Sequence, residues 1–296
     1  MNETVRVAAL QMTSGPDVPG NLAAAGALLA AAAAAGARIA VLPENFSFMG
    51  RHDADKRAIA EPDGAGPVQD FLSSTAAEFK LWIVGGTTPL VATPGNQLTP
   101  GNQVAAGNQG PVGSQAPAAG RVAAACLVYD AAGRRVARYD KMHLFDVDIP
   151  GREESYRESA NVVPGRRAVL VPTPAGLLGL SVCYDLRFPE LFRQMAAAGA
   201  QWFAVPSAFT VPTGRAHWET LLRARAIENL SYVVAAGQWG LHDNGRETYG
   251  DSLLVDYWGE VLARRSDGVG VAVADFDLTL QQETRRNFPA LKHRVL

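Results

Sequence analysis

Three residues that can do chemistry stand at the ends of short apolar runs in this chain: Glu44, Lys141 and Cys183. Cys183 follows the run 177–182 in GLLGLSVCYDLRFPELF, just before a segment with Pro189 in its first turn that reads as a helix. A thiol on a strand-to-helix turn is held by rigid elements, near backbone N–H groups that favour a thiolate and can hold an oxyanion. The competing reading is a small buried hydrophobe, which free cysteines generally are. Glu44 follows the run 38–42 in AVLPENF, where a carboxylate is costly to desolvate unless it is paired or used. Lys141, in YDKMHLFD, follows a hairpin expected from strands at 124–129 and 135–139 around a turn at 130–133. Of 27 basic residues only Lys56, Lys80, Lys141 and Lys292 are lysines. In so arginine-rich a chain, a lysine between Asp140 and His143 points to a need for a compact ammonium of tunable pKa. An ordinary surface lysine is the alternative.

Together the three side chains form a working set for acyl transfer. A thiolate attacks a carbonyl or nitrile carbon, and a carboxylate takes the thiol proton and returns it to the leaving amine. An ammonium and a backbone N–H stabilise the tetrahedral oxyanion. Arg187, four residues after Cys183, is placed to bind a substrate carboxylate bidentately. It reads equally well as a structural arginine paired with Asp185 or Glu190.

The elements that must position these residues alternate between short apolar runs and helical stretches. A helix of small residues is expected over 22–35, ended by Gly36, before the strand at 38–42. Another is expected over 216–230, its stripe of Trp218, Leu221, Leu222 and Ile227 serving as core or dimer packing. This alternation, over 296 residues that are 48% hydrophobic, favours one α/β domain spanning 1–296. The stretch 92–119 repeats Gly-Asn-Gln among Pro and small residues and lacks apolar periodicity, so it reads as a flexible surface insertion. A net charge of −2 without a basic block argues against nucleic acid and anionic membrane as partners. No apolar stretch reaches membrane-spanning length, and the N-terminus lacks the form of a signal peptide. Cys126 reads as core, so the two cysteines suggest no disulfide framework and a reducing cytoplasm. The five histidines lack ligand spacing and support no metal site. His143 beside Lys141 leaves a Cys–His hydrolase as a weaker alternative, and Gly85-Gly86 opens no nucleotide-binding pattern.

LPENF, YDKMHLFDVDIPG and GLSVCYDLRFPEL resemble the three catalytic segments of the nitrilase, or carbon–nitrogen hydrolase, superfamily, in the family's order of Glu, Lys, Cys. The resemblance runs from VRVAALQM to FPALKHR. CYDLRFPEL, VPSAFT and YGDSLLVDYWGEVLA are most similar to its Nit branch. It implies Glu44, Lys141 and Cys183 as the catalytic triad. The family's second glutamate, in a Glu-Ser pattern ending in Pro-Gly, falls on Glu158, with Glu153 and Glu154 as solvated loop acids. Tyr184, Ser207 and Phe209 are expected to line the substrate pocket with Arg187.

The same resemblance implies a four-layer αββα sandwich and an amidase without metal or organic cofactor, acting on a small carboxylate-bearing amide through a cysteine thioester. Deaminated glutathione is the leading substrate. 2-Oxoglutaramate or 2-oxosuccinamate, as for omega-amidases, comes second, and a nitrile is the remaining enzymatic option. A binding or regulatory protein that keeps the fold without turnover is the alternative of a different class, and the intact triad residues argue against it. By the same analogy two copies should associate through helices near the one that follows Cys183, with the tail around 288–295 helping.

Overall fold

The computed structural model describes residues 4–92, 102–104, 120–149 and 155–295. Among these, two seven-stranded sheets face one another. The first runs in the order β18 (Gly270–Asp277), β1 (Thr4–Gln11), β2 (Ile39–Leu42), β3 (Trp82–Gly85), β6 (Val122–Tyr129) and β4 (Thr88–Val91), with β7 (Arg135–Asp140) also on β6. The second runs β17 (Val261–Arg265), β16 (Ser252–Val255), β13 (Tyr232–Ala235), β12 (Trp202–Ala204), β11 (Gly176–Leu180), β10 (Ala168–Thr173) and β5 (Asn102–Val104). Two small hairpins, β8 (Asp146–Asp148) with β9 (Ser155–Arg157) and β14 (Trp239–Leu241) with β15 (Glu247–Tyr249), lie outside the sheets.

Strand alternation builds the layers. Val5, Val7 and Ala9 of β1 and Ile39 and Val41 of β2 point into the core shared with the second sheet. Their neighbours Ala8, Leu10, Ala40 and Leu42 point the other way, onto α1 (Val18–Ala34) and α2 (Pro67–Phe79). In α1 the buried positions Asn21, Ala25, Leu28, Leu29 and Ala32 keep helical spacing, and small side chains let the helix sit close on the sheet. The second sheet is covered by α3 (Pro189–Ala197) and α4 (Val211–Asn229), through Phe192 and Met195 of one and Trp218 and Leu222 of the other. The result is the expected αββα sandwich. A last helix, α5 (Leu278–Asn287), is capped by the Asp277 side chain and held by Arg285, which donates to the carbonyls of Leu230 and Ala200.

The expected elements recur with shifted ends. The first helix begins at Val18, because Pro19 suits a first turn. The strand before Cys183 ends at Leu180, and the cysteine opens a one-turn 3-10 helix, Cys183–Arg187. The expected stripe on α4 divides: Trp218 and Leu222 are core, while Ile227 is 49% exposed. Of the expected insertion at 92–119, Asn102–Val104 adds the edge strand beside β10, and 93–101 and 105–119 lie outside the described residues.

Candidate active site

Glu44 and Lys141 come from the first sheet and Cys183 from the second, and the three meet where strands of both sheets end. β2 is parallel to β1 and β3, and Glu44 lies two residues past its end. The turn there is tight. Asn45 has φ 58°, its N–H donates to the Thr87 hydroxyl at 2.8 Å, and the Glu44 carbonyl accepts from Gln238 Nε2 at 3.0 Å. Gly86 (φ 49°) packs so closely beneath this turn that a Cβ would collide with the Pro43 carbonyl oxygen. Lys141 directly follows β7. Its N–H donates to the Ala124 carbonyl at 3.0 Å, and its carbonyl accepts from Gly165 N–H at 2.8 Å. Cys183 stands past the end of β11, with φ 50° and its N–H on the Pro206 carbonyl at 2.9 Å. A non-glycine residue in the left-handed region is uncommon and costs energy, so the surrounding turn must hold it there.

Lys141 is 2% exposed, Glu44 4% and Cys183 7%. The Lys141 ammonium donates to Glu44 Oε1 at 2.8 Å and to Glu158 Oε2 and Oε1 at 2.8 and 3.1 Å. Glu158 is fixed in turn by the Phe145 N–H, 2.7 Å from its Oε2. The Cys183 thiol hydrogen-bonds the Glu44 carboxylate and meets the Ala208 N–H.

These contacts set the protonation states. Burial opposes the charge on Lys141, but the Glu158 and Glu44 carboxylates outweigh it and raise the ammonium well above the ordinary lysine value. Burial likewise opposes the charge on Glu44, and Lys141 together with the Cys183 hydrogen bond brings it below the ordinary carboxylate value. Burial pushes the Cys183 thiol up, the Glu44 charge adds to this, and Lys141 and the Ala208 N–H offset only part. The resting site thus holds a neutral thiol beside a charged carboxylate. This differs from the thiolate expected of a cysteine near backbone N–H groups, because the nearest full charge is negative.

Above this cluster opens a pocket whose empty space, counted out into the solvent at its mouth, is about 520 Å³. Tyr184, Arg187 and Phe209 line it. Ser207 does not; its hydroxyl donates to the Val205 carbonyl at 3.1 Å behind the wall. Arg187 pairs with neither Asp185 nor Glu190. It lies over the rings of Phe209 and Tyr184, 5.4 and 5.8 Å from their centroids, and its Nη1 is 3.2 Å from His217 Nδ1. Glu153 and Glu154 lie outside the described residues.

Sequence reasoning missed several lining residues. Asp53 and Lys56 arrive on the 3-10 helix Asp53–Arg57, and Phe145 and Tyr156 on the β8–β9 hairpin. Arg246 comes from the β14–β15 turn, donates to the Ala208 carbonyl and lies 5.1 Å over the Tyr156 ring. Only the unexplained rarity of lysine offered a signal, for Lys56. Beyond Glu44, Lys141 and Glu158 of the cluster itself, the charged lining residues are Lys56, Arg187, Arg246 and Asp53, so the upper wall is mainly cationic.

The sequence profile of the family described as carbon–nitrogen hydrolase matches residues 6–286. A deaminated glutathione amidase from Homo sapiens is 39% identical over 290 residues, covering 97% of this chain and 81% of that protein. One from Yersinia enterocolitica is 35% identical over 291 residues, covering 98% of this chain and 93% of that protein. The crystal structure of the C. elegans NitFhit protein matches with a TM-score of 0.83 at 35% identity, over 99% of this chain. This chain spans only 66% of that longer one.

Proposed function

Because the chain belongs to the carbon–nitrogen hydrolase family, we propose that this amidase hydrolyses deaminated glutathione through an acyl thioester on Cys183. The observation that carries the reading is the meeting of a buried cysteine, a buried glutamate and a lysine bonded to that glutamate at the floor of one pocket.

The reaction follows from those states. Glu44 takes the thiol proton as sulfur bonds to the amide carbon, so no free thiolate needs to persist. The carbonyl oxygen becomes an oxyanion beside the Lys141 ammonium, which stays charged because two carboxylates hold it so. Glu44, now a carboxylic acid, gives its proton to the leaving nitrogen as the C–N bond breaks. A water then attacks the thioester with Glu44 again as base. The thiolate leaves, recovers the proton from Glu44, and the acid departs. One amide and one water become one acid and one amine. Glu158 bonds Lys141 alongside Glu44, so two carboxylates together hold the ammonium in place.

Deaminated glutathione carries a carboxylate on each side of its scissile amide, in the 2-oxo acyl part and at the glycine end. Cations distributed along the wall suit such a dianion, and Arg187, unpaired with either neighbouring acid, is the choice for the acyl-side carboxylate. The test is a comparison of kcat/KM for deaminated glutathione, 2-oxoglutaramate and a neutral amide of the same acyl length. Deaminated glutathione should lead, and Arg187→Ala should raise KM for the two anionic amides far more than for the neutral one. Preference for the neutral amide would refute the reading.

We further propose that two copies associate. Trp258 and Phe288 are 59% and 51% exposed with ring centroids 5.5 Å apart, and Ile227 on α4 lies beside them at Gly259. Such a contiguous apolar patch suits a self-complementary contact. No helix among the described residues is long and apolar enough to cross a membrane. Two free cysteines agree with a reducing cytoplasm.

A further inference from the structure

Asp185 lies two residues past Cys183 and is fully buried, yet the chemistry above does not use it. Its Oδ1 accepts from the His143 backbone N–H at 3.0 Å and from His143 Nδ1 at 2.7 Å. Its Oδ2 accepts from the Tyr139 hydroxyl at 2.6 Å and from the Val182 N–H at 2.8 Å. No lysine or arginine is among these partners. A buried carboxylate is expensive unless its lone pairs are filled, and here donors fill both oxygens twice.

The origin of the donors gives the arrangement its meaning. Tyr139 and His143 stand two residues before and two after Lys141, and Val182 directly precedes Cys183. The lysine segment extends from β7 in the first sheet, and the cysteine turn extends from β11 in the second. One carboxylate therefore ties the chain on both sides of the ammonium to the turn that carries the thiol. The tie is reinforced at its ends. The Tyr139 hydroxyl also accepts from Met142 N–H at 3.3 Å, and the His143 ring stacks on Phe188, 3.7 Å apart and 7° from parallel. Among the described residues the Lys141 side chain bonds Glu44 and Glu158, and neither carboxylate belongs to the turn that carries the sulfur.

We infer that Asp185 is a positioning residue that sets the placement of the Lys141 ammonium relative to Cys183 by locking their two chain segments together. The inference rests on the roles proposed for Lys141 and Cys183. An oxyanion donor works only when it is held within hydrogen-bond reach of where the charge develops. The position requires a carboxylate. An asparagine has one acceptor oxygen, and whichever way it turns, its NH₂ faces donors that the second oxygen of Asp185 now satisfies.

The test compares Asp185→Asn and Tyr139→Phe with the wild type and with Cys183→Ala, in steady-state kinetics and thermal melting. Asp185→Asn should lower kcat by about 100-fold, the scale of a 1 Å misplacement, while KM shifts by no more than about threefold. Tyr139→Phe removes one donor, keeps the ring and should lower kcat by about tenfold with KM likewise steady. A merely structural aspartate would lower the melting temperature and leave the kcat of the folded fraction alone. If Asp185→Asn does not fold, Tyr139→Phe decides: a wild-type kcat overturns the inference. If Cys183→Ala is inactive while both other variants turn over at the wild-type rate, positioning alone fails. If Cys183→Ala keeps turning over, the proposed chemistry fails and takes this inference with it.

Discussion

At Lys141 one ammonium faces two carboxylates in a site almost closed to water, and this fixes how activity must vary with pH. Glu44 titrates below the ordinary glutamate value, so its carboxylate is present above that point and is lost only as pH falls through the lowered value. Lys141 titrates above the ordinary lysine value, so its charge is lost only as pH rises through the raised one. The enzyme-borne limbs of kcat/KM should therefore fall outside the interval between about 4.3 and about 10.4, the ordinary values of the two groups. A limb near neutrality that belongs to the free enzyme would point instead to a preformed thiolate or an imidazole base. Glu44, Lys141 and Cys183 were legible because each is a polar interruption at the end of an apolar run, and burial there demands a partner. Arg246 was not, since nothing local distinguishes it in HDNGRET; only the fold brings its guanidinium to the Ala208 carbonyl. The resemblance implies Ser207 in the pocket, but its hydroxyl turns back to the Val205 carbonyl.

Among the elements, the turns that end the strands do more to place the site than the strands themselves. Short apolar runs made the strands at β2, β6, β7 and β11 readable, and Pro189 the helix after Cys183, with strand ends misplaced by one or two residues. The ends slipped because they depend on turn geometry, such as the left-handed Cys183, which no periodicity encodes. The β8–β9 hairpin was also missed. Its paired strands are three residues each, too short for an alternation to register. Gly165 shows how a turn acts at a distance. Its N–H holds the Lys141 carbonyl, and a Cβ there would collide with the Asp140 carbonyl, one residue before the lysine. Gly165→Ala should therefore displace the lysine backbone. The expected result is a loss of about 1–3 kcal/mol in stability, read by denaturant unfolding, with kcat falling more than KM rises. A variant with wild-type kcat would show that the lysine is placed independently of this contact.

The whole molecule buries one core between its sheets and another under α1 and α2, and it sets the site where both sheets end. The layering was expected from family resemblance. Element alternation alone fits a single doubly wound sheet equally well, since each helix covers a strand in either architecture. The proposed pair of copies belongs to this scale too. In solution at micromolar concentration the protein should sediment at twice its 31.4 kDa chain mass, and Trp258→Arg with Phe288→Glu should return it to the mass of one chain. A single-chain mass for the unmodified protein would contradict the proposal. The central claim, that hydrolysis passes through an acyl group on Cys183, is tested most directly by rapid acid quench of the enzyme during turnover of deaminated glutathione, followed by peptide mass analysis. The account predicts a 2-oxoglutaryl adduct confined to the peptide bearing Cys183 and absent from Cys183→Ala, which should not turn over. Sustained product release by Cys183→Ala, or an adduct on Cys126 instead, would contradict it.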